Sequence, residues 1–258
     1  MSASEPQRIS SRDNALLKDL RRLAQDSGAH LKQHRVWAEG EHLCSAALAR
    51  GWRPALAVFS ASYWPLAPSG FAQAAIKNVV IDDALLASVS GLPSPAPLAF
   101  VLDLPAALAL QPDAPTVVLD RVQDAGNVGS ILRSAAAFGF TQVAALSGTA
   151  LLWSPKVLRA GMGAHFGLRL VERLTANDLS ALRVPLLVTS SHEGELLHRA
   201  RLPWPCAWVM GHEGQGVASE LAGRAAMALR IAQPGGEESL NVAAAGAICL
   251  CASAVARV

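Results

Sequence analysis

The chain has few charged residues and few cysteines, and it lacks long apolar runs. Charged residues make up 16% of its 258 residues and apolar residues 52%, a balance that predicts a packed core and argues against disorder. No apolar run free of charge, Gly and Pro reaches ~18 residues, so a membrane span is not expected. The polar stretch from Met1 to Ile9 predicts no signal peptide. The length suits one large domain or two small ones.

The four cysteines are spread along the chain and lack the spacing of a zinc knuckle. One residue, rather than two, separates Cys249 from Cys251, and no histidine cluster accompanies them. We therefore expect four reduced thiols in the core of a cytoplasmic protein, and no metal site. The other two thiols belong to Cys44 and Cys206.

The net charge of +2 neither requires nor excludes a nucleic-acid partner. Basic residues nevertheless concentrate between Arg8 and Arg35, where seven of them accompany three aspartates. A helix of this kind could follow the phosphates of a nucleic acid, or it could be a solvated face with ion pairs between neighbouring turns. The candidates for contact with a nucleic acid are Arg12, Lys18, Arg21, Arg22 and Arg35.

The two halves of the chain differ in pattern, and the Ala/Pro-rich stretch at 105–115 separates them. In the first half, residues 10–13 resemble a capping box before a helix, and Gly51 closes a helix that begins at Glu41. The second half alternates apolar strands with helices, which predicts an α/β fold with a parallel sheet. Its strands are predicted at 116–119, 142–146, 168–171, 186–189, 207–210 and 228–231.

A first polar segment, Asn127-Val-Gly-Ser-Ile-Leu-Arg133, opens a predicted helix after the strand at 116–119. Asn127 could cap this helix. Arg133 carries a rigid fork of donors that suits phosphate or carboxylate. By itself, the segment could equally be a capped helix with an exposed arginine.

A second segment, Gly211-His-Glu213-Gly-Gln-Gly216, follows the strand at 207–210. Its glycines permit positive φ and a close approach of the backbone to a ligand. The segment is not Gly-x-Gly-x-x-Gly and lacks the Lys-Ser/Thr of a phosphate loop, so NAD and ATP are poorly supported. Taken alone, it could be a tight glycine turn.

A third segment begins at Ile231, turns through Pro234-Gly-Gly236 and enters a helix near Ser239. Ser239 is a natural N-cap, and the helix N-terminus offers free N–H groups. Asn241 is expected in the first turn, where asparagine usually has a polar role. All three segments follow strands, and ligands of open parallel sheets bind beyond the carboxyl ends of strands.

In this order, the three segments resemble the motifs of the SpoU-type RNA ribose 2′-O-methyltransferases, the TrmH-like branch of the SPOUT class. The run from Ser154 to Ala164 also resembles the family's region between its first two motifs. The first half, with Ile9 to Leu20 and then Glu39-Gly-Glu-His-Leu43, resembles the family's small N-terminal substrate-binding domain.

The resemblance implies a parallel sheet with a C-terminal deep trefoil knot, S-adenosyl-L-methionine bound in the knot, and a homodimer. It implies a small α/β RNA-binding domain followed by a methyltransferase domain. With the linker placed by composition at 106–114, we predict these domains at 1–105 and 115–258. The cofactor would contact Gly211, Ile231 and Leu240. The polar site would comprise Asn127, Arg133, Glu213, Ser239 and Asn241.

The chain departs from the family pattern at two places. Ala232-Gln233 stands where the family has Pro-Met, and Ala243 stands where a serine follows Asn-Val. Neither departure touches the polar site.

The expected reaction is methyl transfer to a ribose hydroxyl of structured RNA, ribosomal RNA rather than transfer RNA. Because arginine holds its proton tightly, we expect Arg133 to clamp a phosphate and to stabilise the developing alkoxide. It would act as a base only where a phosphate or a second arginine perturbs it. The alternatives are a transfer-RNA enzyme, a base methyltransferase with a knot, and a non-catalytic RNA-binding protein of the same fold.

Overall fold

The computed structural model describes residues 5–106, 108–190, 194–236 and 239–257. All the predicted site residues lie within these ranges. Residues 237 and 238 of the third segment lie outside them, as do residues 1–4 of the polar N-terminal stretch.

The described residues form twelve strands and nine α-helices. The strands are β1 Gln7–Ile9, β2 Arg35–Glu39, β3 Leu56–Ser60, β4 Lys77–Ile81, β5 Leu98–Asp103, β6 Thr116–Leu119, β7 Gln142–Leu146, β8 Arg169–Leu174, β9 Leu186–Thr189, β10 Glu195–Leu196, β11 Ala207–Met210 and β12 Met227–Arg230. The helices are α1 Ala15–Gln25, α2 Ala29–Gln33, α3 Glu41–Ala49, α4 Ser69–Ala74, α5 Asp83–Val89, α6 Ala125–Ala137, α7 Pro155–Ala160, α8 Ser219–Gly223 and α9 Val242–Val255.

The chain divides into two compact units. The first comprises Met1–Ala106 and Trp153–Phe166, and the second comprises Ala107–Leu152 and Gly167–Val258. The first unit thus includes a segment from within the predicted methyltransferase domain. The domain limits drawn from the sequence remain a prediction.

The first unit contains a mixed sheet with the strand order β1-β4-β3-β5-β2, in which β5 runs antiparallel to both of its neighbours. α1 packs with its apolar face, including Leu17 and Leu20, in the core of this unit. The predicted capping box at 10–13 is wrong. Asn14 caps α1, because its side chain accepts the Leu16 N–H at 2.9 Å.

The segment Trp153–Phe166 is packed into the first unit by aromatic side chains. Trp52 donates its indole N–H to the Phe166 carbonyl at 3.0 Å. The Trp52 ring also contacts the rings of Trp153 and Phe166, with centroids 5.9 and 5.5 Å apart. These contacts therefore hold the segment Trp153–Phe166 against Trp52, which lies more than a hundred positions earlier in the chain.

The second unit contains a seven-stranded, fully parallel sheet with the order β10-β12-β9-β11-β6-β7-β8. The parallel α/β prediction is confirmed, and the predictions at 116–119, 142–146, 186–189 and 207–210 match β6, β7, β9 and β11. Strand β10, only two residues long, was not predicted. Between β8 and β9 the chain forms a short 3₁₀ turn, Asn177–Ala181.

The pairing of β7 with β8 contains an irregularity. Ala144 pairs with Val171 and Leu146 pairs with Leu174, so Glu172 and Arg173 of β8 lie opposite a single residue of β7. Arg173 has a positive φ of 60°. This is the geometry of a β-bulge, which inserts an extra residue into one strand and bends it.

The cysteines are free thiols, and three of the four are buried. Burial raises the pKa of Cys206 to about 11 and that of Cys249 to about 12. Cys251 is only half-buried, contrary to its predicted core position. Among the described residues, no helix has the length and apolar character needed to cross a membrane.

Candidate active site

A cavity of about 510 Å³ lies at the carboxyl ends of β9, β11 and β12 in the second unit. The predicted cofactor residues Gly211, Ile231 and Leu240 all line it, and so do Glu213 and Ser239. The volume is within the usual range of small-molecule and cofactor pockets. The second and third segments, about 20 residues apart in sequence, therefore meet around one space.

The second segment is a loop that closes on itself. His212 and Gly216 exchange backbone hydrogen bonds of 3.0 and 2.8 Å, and Gly216 has a φ of +68°. A Cβ on Gly211 would lie 2.3 Å from the backbone of Gly216 and from that of Val217. Glycine is therefore required at position 211 because the backbone of the same loop packs against it, whereas the sequence suggested that a ligand packs there.

Three polar side chains, one from each segment, form a continuous hydrogen-bonded chain. Asn241 donates its amide N–H to the Asn127 oxygen at 2.9 Å, and Asn127 donates its amide N–H to Glu213 at 3.2 Å. Glu213 also accepts the backbone N–H groups of Gln123 and Asp124, at 3.2 and 3.1 Å. The structure thus brings together three of the five predicted polar residues.

The Glu213 carboxyl is held in its charged form by these donors. Desolvation alone would raise its pKa, but the hydrogen bonds from the backbone and from Asn127 outweigh that effect and lower the pKa below its ordinary value. The carboxylate therefore acts as an acceptor for the groups around it.

Two predicted helix caps are wrong. The N-cap of α6 is Asp124, whose carboxylate accepts the Asn127 N–H at 2.8 Å, so Asn127 lies inside the first turn. The N-cap of α9 is Asn241 rather than Ser239, with Asn241 Oδ1 accepting the N–H groups of Ala243 and Ala244 at 2.9 and 3.2 Å. The Asn127 side chain is therefore free to hydrogen-bond with Glu213 and Asn241. Asn241 both caps α9 and donates a hydrogen bond to Asn127.

We expect Asn241→Ala to destabilise the protein by ~1 kcal/mol, because it removes the cap of α9, and to impair the methylation that the family resemblance implies, because it releases Asn127. Asn241→Asp is the matched variant: it keeps a capping oxygen but has no amide N–H to donate. It should unfold near the wild-type temperature and still lose activity. Thermal unfolding and methylation assays check both. An Asn241→Ala protein with unchanged stability would contradict the assigned cap.

Arg133 and Ser239 stand apart from this polar chain. Arg133 is exposed on α6, and within the described part of the chain no hydrogen bond or ion pair engages its guanidinium. Ser239 is exposed and lines the cavity. Both side chains are accessible to a ligand, and within the described residues no hydrogen bond joins either of them to the other predicted polar residues.

A second polar cluster at the same sheet edge was missed by the sequence reasoning. Asp120, 2% exposed, accepts hydrogen bonds from Arg121 at 2.8 and 3.1 Å and from the Ala218 N–H at 2.7 Å. Arg121 also donates to Gln215 at 2.8 Å, and its hydrogen bond to Asp120 raises its pKa. A signal was available, because Asp120 directly follows the buried strand β6, at the edge where open parallel sheets bind ligands.

In the first unit, some of the candidate RNA-binding residues form hydrogen bonds or ion pairs within the protein, and others are exposed. Arg21 donates to the carbonyl and the hydroxyl of Ser88, at 3.0 and 3.1 Å, and Arg35 forms an exposed ion pair of 2.6 Å with Asp103. Arg22 and Arg35 line an open cavity of about 540 Å³. Arg12 and Lys18 are exposed.

The model of the SpoU rRNA Methylase family matches residues 114–251. Over 226 residues the chain is 31% identical to the mitochondrial rRNA methyltransferase 3B of Danio rerio, and this alignment covers 79% of this chain and 50% of that protein. Over 249 residues it is 29% identical to the 23S rRNA (guanosine(2553)-2′-O)-methyltransferase of Bacillus subtilis, with 93% and 96% covered. The chain thus spans half of the first relative and nearly all of the second.

Solved structures agree with these matches. A protein of the TrmH family from Porphyromonas gingivalis superimposes with a TM-score of 0.80, at 31% identity and with 93% and 97% of the two chains covered. The AdoMet-bound rRNA methyltransferase from Sinorhizobium meliloti gives a TM-score of 0.82, at 25% identity and with 96% and 97% covered. With the family model matched over more than half of its length, this chain belongs to the SpoU rRNA methylase family.

Proposed function

We propose that this protein transfers a methyl group from S-adenosyl-L-methionine to a ribose 2′-hydroxyl of ribosomal RNA. The observation that carries the proposal is the cavity formed by the second and third segments, which one hydrogen-bonded chain connects to the first. The named relatives from Danio rerio and Bacillus subtilis are rRNA methyltransferases, which favours ribosomal over transfer RNA.

The cofactor would occupy the 510 Å³ cavity, where Gly211, Ile231 and Leu240 would contact it largely through the backbone. When bound, S-adenosyl-L-methionine supplies a methyl group activated by a sulfonium, with a neutral leaving group. The protein must then bring the ribose oxygen into line with that methyl group. Such positioning can supply about 7–11 kcal/mol of the rate enhancement in favourable cases.

The amide groups of Asn127 and Asn241 suit the positioning of a ribose. Each side-chain amide carries two N–H donors, and the hydrogen-bonded chain uses one from each. In the described part of the structure, the second N–H of each amide has no acceptor. These two donors can bind ribose or phosphate oxygens, while Glu213 fixes the orientation of the amides. Ser239, on the cavity wall, would contact the substrate or the cofactor.

Arg133 would clamp a phosphate beside the target ribose and stabilise the oxygen as negative charge develops there, while the hydroxyl proton passes to solvent water. Its accessible guanidinium, without a partner among the described residues, supports this role. A guanidinium donates in pairs and matches the geometry of phosphate.

The domain organisation belongs to the same proposal. Residues 1–105 would bind RNA through Arg12, Lys18, Arg21, Arg22 and Arg35, residues 106–114 would link the domains, and 115–258 would form the methyltransferase domain. A C-terminal trefoil knot, which the family resemblance implies, is part of the same proposal. A homodimer is supported by the exposed apolar side chains of Ile248 and Val255 on α9, 41% and 66% exposed. A cytoplasmic location remains a prediction from the cysteines.

The test combines cofactor binding with analysis of the product. We expect calorimetry to detect S-adenosylhomocysteine binding to the full chain, and unmodified rRNA transcribed in vitro to accept a radiolabelled methyl group. Methylation of a 2′-hydroxyl protects the adjacent phosphodiester from alkali, so the label should appear in alkali-resistant dinucleotides.

Label in single nucleotides would instead indicate a base methyltransferase. Methylation of transfer-RNA transcripts alone would reassign the substrate. The absence of cofactor binding would favour an RNA-binding protein without activity.

A further inference from the structure

A second cavity, of about 330 Å³, lies at the carboxyl ends of β7 and β8. Its walls are the loop after β7, residues 147–151, and the pair Glu172 and Arg173 of β8. In the sheet order β11-β6-β7-β8, this cavity and the cofactor cavity lie on opposite sides of β6, which leads into the first segment. Both occupy the edge at which open parallel sheets bind ligands.

The bulge in β8 shapes this cavity. Bulges are rare between parallel strands, and they redirect side chains next to functional sites. The φ of Arg173, +60°, is uncommon for any residue other than glycine and raises the free energy of the fold. Residues held in such sparsely populated conformations cluster at active sites and ligand-binding sites.

The guanidinium of Arg173 is available to a ligand. Arg173 is exposed, and no residue that the structure describes pairs with its side chain. Arg121 gives the contrast: it also has a positive φ, of 58°, but Asp120 and Gln215 hold its guanidinium. Glu172, the carboxylate among the lining residues, accepts the N–H of Leu152.

We propose that this second cavity binds the phosphodiester of a nucleotide next to the target ribose, with Arg173 as its principal ligand. The inference rests on the proposed function, since it requires an RNA substrate at the first segment. β8 is two strands from β6, a distance on the order of 10 Å at the usual strand spacing. That distance suits a neighbouring nucleotide of a looped or single strand, the form in which RNA bases and backbone are accessible. The exposed Ser147 adds a hydroxyl donor at the cavity wall.

The test replaces Arg173 by glycine in the full chain and compares it with Arg169→Ala. Glycine accepts positive φ, so Arg173→Gly removes the side chain and relaxes the backbone. Arg169 is the matched control, because it begins the same strand at the opposite edge and donates to the Ala109 carbonyl at 2.9 Å. The measurements are the Kd for an unmodified rRNA transcript at several salt concentrations, kcat and KM for methylation, the Kd for S-adenosylhomocysteine, and thermal unfolding.

For Arg173→Gly we expect a Kd for rRNA that is raised roughly five- to tenfold and a log–log salt slope that is smaller by about one phosphate contact. The KM for RNA should rise together with this Kd. The cofactor affinity should stay unchanged, and the thermal stability should not fall. Arg169→Ala should bind RNA like the wild type.

The subsite is refuted if Arg173→Gly keeps the wild-type RNA affinity and salt slope, or if both variants lose affinity equally. A wild-type protein that binds neither S-adenosylhomocysteine nor rRNA would refute the proposed function itself. Measurements on the wild-type protein therefore distinguish a failure of the subsite from a failure of the proposed function.

Discussion

Arg133→Ala is expected to lower kcat/KM for rRNA methylation by roughly 10²–10³-fold, the usual loss when a group that stabilises developing charge is removed. The exposed guanidinium has no role in the described hydrogen bonding of the fold, so thermal stability should be unchanged. The affinity for S-adenosylhomocysteine should also persist, because Arg133 does not line the cofactor cavity. Steady-state kinetics, calorimetry and thermal unfolding check the three statements.

Two variants sharpen this experiment. Arg133→Lys keeps the positive charge but loses the paired donors, so it should recover only a small part of the activity. Arg224→Ala removes an arginine of the same unit that donates to the Ala176 carbonyl, and it should retain activity. Near wild-type methylation by Arg133→Ala, with cofactor binding intact, would show that the assignment is wrong.

Gly211→Ala is expected to reduce the affinity for S-adenosylhomocysteine by more than about tenfold. The new Cβ would lie 2.3 Å from two backbone atoms, closer than real contacts allow, so the loop must open and the bridge between His212 and Gly216 must weaken. Overpacking of this kind costs about 1–3 kcal/mol, and the thermal midpoint should fall. Calorimetry and thermal unfolding provide the measurements.

Gly223→Ala is the control for this substitution. Gly223 ends α8, its φ is not positive, and a Cβ there would meet no atom within 4 Å. Alanine at such a position is neutral or stabilises by ~0.4–1 kcal/mol. If Gly211→Ala bound the cofactor as well as Gly223→Ala does, the second segment would not form the cofactor wall in the way proposed.

The strands of the second unit could be predicted because they are buried on both faces and therefore appear as short apolar runs. Five of the six predicted strands, which correspond to β6, β7, β9, β11 and β12, start and end within a residue of the observed strands. The sixth, predicted at 168–171, stops short of the bulge in β8. Strand β10 consists of two residues at an edge and has no such run. The bulge depends on pairing between strands, which no local pattern records.

The caps show a different limit. Asp124 and Asn127 are both good N-caps three residues apart, as are Ser239 and Asn241 two residues apart, and local sequence cannot choose between them. The polar chain joins Asn127 to residues 86 and 114 positions away, and only the family resemblance pointed to it. The packing of Trp153–Phe166 into the first unit likewise depends on distant aromatic partners.

The hydrogen-bonded chain from Asn241 through Asn127 to Glu213 has a direction. An amide can turn either way, but a carboxylate only accepts. Glu213 therefore obliges Asn127 to present its N–H groups on that side and its oxygen to Asn241. Asn241 must in turn present an N–H to Asn127, which leaves its own oxygen for the first turn of α9. One negative charge on the loop after β11 thereby sets the polarity of two amides at the starts of two separate helices.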